Sequence, residues 1–201
     1  MRKASASLFV LALVLAGRLD AQTTARTYEV LGFDKAFETV LMRVEDPGVG
    51  LFYQARRMFQ GGLLEEQMAP KEQEEKILAG LKRKYKIEVD PIKGQETPDK
   101  KNVLMGFKDG AQFRLFFMEG SKVGYYDKVD LKQGSKGETG EAYLKENYWT
   151  PDGKRFVAVV HQKLASDRID LDADQFYIFT FKRYKIHFGG DEEKAQGQTN
   201  P

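Results

Sequence analysis

The sequence predicts a mainly β (α+β) domain: an antiparallel sandwich, or an incomplete propeller-like fan of hairpins, with one docked helix. Three observations predict it. Asp109-Gly110 and Asp152-Gly153 stand between apolar runs. An Asp-Gly pair favours the tight turn of a two-residue hairpin, and such a turn can join only antiparallel strands. The apolar runs at 113–118, 156–160 and 176–188 are short and rich in Phe, Val, Ile and Tyr, as strands are. Only the stretch 70–86 carries a sustained helical period.

Taken in order, 27–44 reads as strand, turn and strand, with apolar residues on both sides of Asp34-Lys35-Ala36. Pro47, Gly48 and Gly50 then turn the chain into a strand over 51–59, which Gly61-Gly62 ends. Pro70 opens the helix, running to Lys86, on which Ile77, Leu78, Leu81 and Tyr85 share one face. Glu72, Glu74 and Glu75 lie early in it and Lys82, Arg83, Lys84 and Lys86 late, the order that suits a helix dipole. The polar stretch 90–101, with Pro91, Gly94 and Pro98, reads as a loop. Strands resume at Val103, and a glycine-rich loop occupies 133–141. The run 156–160 is apolar on both faces, which predicts a central strand covered on each side. In the last run Tyr184, Ile186 and Phe188 alternate with Arg183, Lys185 and His187, predicting a half-exposed strand.

Domain organisation follows from the ends. Arg2 and Lys3 precede an apolar run over 8–17, and Ala21 stands before Gln22, the layout of a cleavable signal peptide over 1–21. The run is too short to span a bilayer, where about 18 or more apolar residues are needed, so no transmembrane anchor is expected after cleavage. The expected product is exported to the periplasm or medium as a single β-rich domain over 22–188, with a polar, disordered tail over 189–201. The chain has no cysteine, so neither a lipid-bearing cysteine nor a disulfide is available and packing must hold the fold. With 32 basic against 30 acidic residues, no field of one sign exists to attract nucleic acid.

Three segments can be laid over one another: 30–44, 103–118 and 147–161, each an aromatic residue, a tight polar turn and an apolar strand. The segment Tyr148-Trp149-Thr150-Pro151-Asp152-Gly153-Lys154 resembles the Pro-Asp-Gly hairpin in blades of TolB-like β-propellers. With the Leu31-Gly32-Phe33 hairpin near the start and the helix ending in Tyr85-Lys86-Ile87, the order also resembles a family of bacterial predicted secreted proteins of unknown function. Gly32-Phe33-Asp34-Lys35 lacks that family's turn glycine, and Thr150 replaces its serine. The resemblance implies export and a β-rich domain, and carries no catalytic residues.

Candidate sites are few. Asp167, Asp170, Asp172 and Asp174 alternate between two strands, and Asp-x-Asp-x-Asp is how a calcium loop begins. Gln175 and Phe181 stand where that loop needs glycine and glutamate, so a solvated hairpin loop competes with a Ca2+ site. His161 and His187 have no partner at motif spacing, and no nucleophile elbow or phosphate-binding loop occurs. Trp149, Tyr148, Tyr125 and Tyr126 could form an aromatic platform for a glycan or peptide, or pack in the core. The sequence therefore suggests an exported non-catalytic binding or envelope-associated protein. Its partner would be an envelope protein, a peptide or a glycan. The alternative is a calcium-dependent or hydrolytic enzyme built on the 167–174 stretch.

Overall fold

The computed structural model describes residues 25–59, 61–166 and 170–188. The expected leader over 1–21, the tail over 189–201 and Asp167 lie outside them. In chain order the strands are β1 (Thr27–Asp34), β2 (Thr39–Asp46), β3 (Gly50–Arg57) and β4 (Leu63–Met68), then helix α1 (Glu74–Tyr85). After the helix come β5 (Ile87–Val89), β6 (Ile92–Lys93), β7 (Val103–Asp109), β8 (Gln112–Glu119) and β9 (Lys122–Asp130). The described residues end with β10 (Glu141–Trp149), β11 (Arg155–Ala165), β12 (Asp170–Thr180) and β13 (His187–Phe188). The strands form three antiparallel sheets, ordered β4-β3-β2-β1-β5, β12-β11-β10-β6 and β13-β9-β8-β7.

The second sheet lies between the other two, and β11 shows why. Residues 156–160 are all fully buried although successive side chains point to opposite faces. Val157 and Val159 meet Val40 and Met42 of the first sheet and Met58 just after β3. Phe156, Ala158 and Val160 meet Phe113, Leu115 and Phe117 of the third. A Val or Phe side chain so buried contributes about 1.5–3 kcal/mol, so a strand with two apolar faces is stable only in a middle layer. The two-sided apolar reading of 156–160 describes this strand.

On its outer face the first sheet carries the helix. Leu41, one residue out of phase with Val40 and Met42, packs with Tyr53 and Ala55 against Leu81, Ile77, Leu78 and Tyr85. Pro70 leads through a single 3-10 turn, Lys71–Gln73, into α1, with acid in its first turn and Lys82, Arg83 and Lys84 in its last. Lys86, left-handed at φ 54°, ends it. The layers therefore run helix, sheet, sheet, sheet.

Three local expectations change. The run 176–188 is broken: β12 stops at Thr180, and a 3-10 turn at Arg183–Lys185 precedes the two-residue β13. Ile186 is buried against Gly124 while Tyr184 is exposed, so Tyr184, Ile186 and Phe188 do not form one strand face. Asp170, Asp172 and Asp174 belong to β12 rather than to a loop. The stretch 90–101 is a hairpin: β6 pairs with β10, and Glu96 bridges to Val103.

Candidate binding site

The acidic residues are held by cations of the protein itself. β12 runs beside β11 with Asp174 opposite His161 and Asp172 opposite Lys163. Asp174 Oδ1 lies 2.9 Å from His161 Nδ1, and Lys145 Nζ donates to Asp174 Oδ2 at 2.7 Å. His161 Nε2 lies 3.2 Å from Asp172 Oδ1, and the Tyr143 ring lies against the imidazole, centroids 5.0 Å apart. Both imidazole nitrogens thus face carboxylates. Among the described residues no group of three His, Cys, Asp or Glu is placed to hold a metal ion. Asp170 is exposed at the start of β12, Asp174 is inside, and Asp167 is not among the described residues.

The aromatic residues separate in the same way. Trp149 is fully buried among Phe117, Phe156 and Phe181 on the face toward the third sheet. Tyr148, adjacent in the strand, points to the opposite face and packs with Val30 and Val157. Tyr126 is buried beside Phe117, whereas Tyr125 is half-exposed with its ring edge toward Phe116. These four side chains do not make one exposed platform.

A different set of residues forms a cavity, to which all three sheets contribute. It is open to solvent on one side and holds about 490 Å³, within the range that holds small ligands. Met58 and Phe59 follow β3 of the first sheet, Arg155 opens β11, and Ile178, Phe179 and Thr180 close β12. Tyr126 and Asp127 come from β9 of the third sheet, and Lys182 and Lys185 from the chain after β12. Phe59 is 69% exposed, a large apolar side chain left uncovered at the rim.

Arg155 is the singular residue here. Its backbone is fixed by the turn before it: Thr150 N donates to Arg155 O at 2.9 Å, and Arg155 N donates to Thr150 Oγ1 at 3.1 Å. Across the sheet Arg155 stands opposite Thr180. Its Nη1 is screened from solvent and makes no hydrogen bond. A buried donor on a charged group costs more unsatisfied than a neutral one, so native proteins leave few. Nearby, Tyr126 donates its hydroxyl to Thr180 O at 2.7 Å, and burial pushes that hydroxyl up to about 12, so it stays neutral at ordinary pH. The cavity walls thus carry Arg155, Lys182 and Lys185 against one carboxylate, Asp127.

Sequence patterning gives little sign of this site. Arg155 follows the Pro-Asp-Gly turn as an ordinary strand residue, and Lys182 and Lys185 would fall on opposite faces of a continuous strand. The strand instead stops at Thr180, and both lysines line the cavity. Comparison with protein-family models, curated proteins and solved structures returned no match. Among the described residues no helix is long and apolar enough to cross a membrane.

Proposed function

We propose that the chain is an exported, non-catalytic binding protein of the cell envelope that takes a small ligand between its three sheets. The observation carrying this reading is an open cavity of about 490 Å³ whose walls set Arg155, Lys182 and Lys185 beside Met58, Phe59, Ile178 and Phe179. Export is supported by the basic, apolar and small-residue order of 1–21. A binding rather than catalytic role is supported by His161, whose ring nitrogens both face carboxylates.

Native mass spectrometry of the protein taken from the periplasm tests both halves. The expected product begins at Gln22 and carries one small-molecule adduct per chain, lost in Arg155→Gln. A cytoplasmic product that retains residues 1–21 overturns export. A bare mass, together with no thermal shift from any member of a library of small metabolites, overturns the binding role.

A further inference from the structure

We infer that the ligand of this cavity is an oxyanion carried on an apolar body, a carboxylate or phosphate monoester with a hydrocarbon tail or ring. The inference rests on the binding role proposed above and adds the chemistry of what is bound. Two features of the walls select it. The first is charge: Arg155, Lys182 and Lys185 face the space against Asp127 alone, so the site is net cationic. A net cationic wall is matched by an oxygen bearing negative charge, because charge-assisted bonds are roughly twice as strong as neutral ones. The planar guanidinium fits carboxylate and phosphate oxygens alike.

The second feature is the apolar wall. Met58, Phe59, Ile178 and Phe179 line the same space, and a free inorganic ion would leave them uncovered. Phe59 in particular is 69% exposed on the rim. An amphiphile satisfies both walls at once: its head meets Arg155 while the lysines, exposed on the chain after β12, approach from the solvent side, and its tail covers Phe59 and Met58. Lys182 lies 5.8 Å from the Tyr184 ring, and the residue between them that is engaged elsewhere is Arg183, paired with Glu119.

Isothermal titration calorimetry with four probes tests this: octanoate, octyl phosphate, octanol and inorganic phosphate. The expected result is saturable binding of octanoate or octyl phosphate, one per chain, with octanol and inorganic phosphate weaker by about tenfold or more. Comparing the two charged probes distinguishes a carboxylate from a phosphate head. Arg155→Gln and the double variant Lys182→Gln/Lys185→Gln should each weaken the charged probes by about tenfold. The double variant alters only exposed side chains, so its unchanged melting curve separates lost binding from lost folding. Octanol binding as tightly as octanoate and indifferent to Arg155→Gln would overturn the oxyanion and leave the binding role standing. If none of the four binds, the oxyanion reading falls, and the binding role is decided by the adduct and the metabolite library.

Discussion

Thr97 and Thr150 make the same hydrogen bonds in two turns that pack against each other. Thr150 Oγ1 donates to Asp152 Oδ1 at 2.6 Å, lies 3.0 Å from Arg155 O and accepts Arg155 N at 3.1 Å. Thr97 Oγ1 does likewise with Asp99 Oδ1 at 2.6 Å, Asn102 O at 3.2 Å and Asn102 N at 3.1 Å. Asn147 Nδ2 donates to Gly94 O across the same offset of 53 residues. The hairpin at 92–104 therefore repeats the turn geometry of the one at 145–157 at a constant offset and is laid beside it. The second copy fixes Arg155 in the cavity wall.

Removing the threonine hydroxyl should loosen these turns. Thr150 is fully buried, so Thr150→Val keeps the volume and leaves the Arg155 amide without its acceptor. A cost of about 1–3 kcal/mol is expected, read as a lower urea midpoint. Thr150→Ser, which retains the hydroxyl, should lose less.

The two turns differ at one backbone position, and that difference predicts opposite signs. Gly153 has φ 68° and its counterpart Lys100 has φ 57°. A left-handed conformation costs an L-residue roughly 1–2 kcal/mol, offset by the roughly 0.5–1 kcal/mol that glycine loses in chain entropy. Lys100→Gly should stabilise by up to about 1 kcal/mol and Gly153→Ala should destabilise by a similar amount. A Cβ at 153 would lie 3.6 Å from Pro98 Cδ, an ordinary contact, so the effect at Gly153 is conformational rather than steric. Equal shifts of one sign in the two melting curves would contradict this.

Acid should release the helix from the first sheet. Glu65 on β4 accepts Lys84 Nζ at 2.6 Å, Tyr85 hydroxyl at 2.7 Å and Gln67 Nε2 at 2.7 Å. The bond from Lys84, then that from Tyr85, holds its carboxyl below the usual glutamate range. A depressed carboxyl stabilises the fold fully above its unfolded value, near 4.3, and that contribution is lost as pH falls through the lower folded value. Glu65→Gln should therefore be less stable than the natural chain at pH 7. The gap should close below about pH 4, measured by urea titration at each pH. A gap independent of pH would show that the charge of Glu65 does not dock the helix.

How far the sequence could be read follows from these same residues. The middle layer was visible because 156–160 leaves no polar face, and α1 because Ile77, Leu78, Leu81 and Tyr85 share one side. The turn at 97–102 was hidden because Lys100 stands where its partner has glycine, so no Pro-Asp-Gly signal marks it. The strand character of 170–174 was hidden by aspartates, which strands disfavour, and which are held here by Lys145, His161 and Lys163 on neighbouring strands. The β4 strand, Leu-Leu-Glu-Glu-Gln-Met, lacks alternation because it is an edge with both faces partly open. The cavity escaped entirely, since it depends on residues from three sheets rather than on any local pattern.

Trp149 should behave as core. It is the chain's one tryptophan, fully buried with its ring centroid 4.6 Å from that of Phe156. Acrylamide should quench its fluorescence weakly in the native state and strongly after unfolding. Its Nε1 has no hydrogen-bond partner, a burial costing about 1–3 kcal/mol. Trp149→Phe removes that cost along with part of the ring and should destabilise clearly less than Trp149→Ala, for which about 3–5 kcal/mol is expected. Strong native quenching, or equal losses in the two variants by circular dichroism, would argue for an exposed role.

Calcium should leave the fold unmoved, because the carboxylate best placed to receive it is already engaged. Both oxygens of Asp174 are used, Oδ1 with His161 at 2.9 Å and Oδ2 with Lys145 at 2.7 Å, and its side chain is 1% exposed. Binding a cation there would displace Lys145 and leave charges of the same sign together. A thermal melt in millimolar calcium should match one in chelator; a rise of several degrees would restore the 167–174 stretch as a metal site. Variants of the pair should also be unequal, since the cost depends on which partner is stranded. The Lys145 side chain is 36% exposed and can turn to water when Asp174→Asn removes its partner. Lys145→Met instead leaves the buried carboxylate with His161 alone, and should cost more, up to the roughly 3–5 kcal/mol of an uncompensated buried charge. Adding His161→Phe to Lys145→Met should deepen the loss beyond the sum of the two single changes, because only then does Asp174 lose both of its side-chain partners.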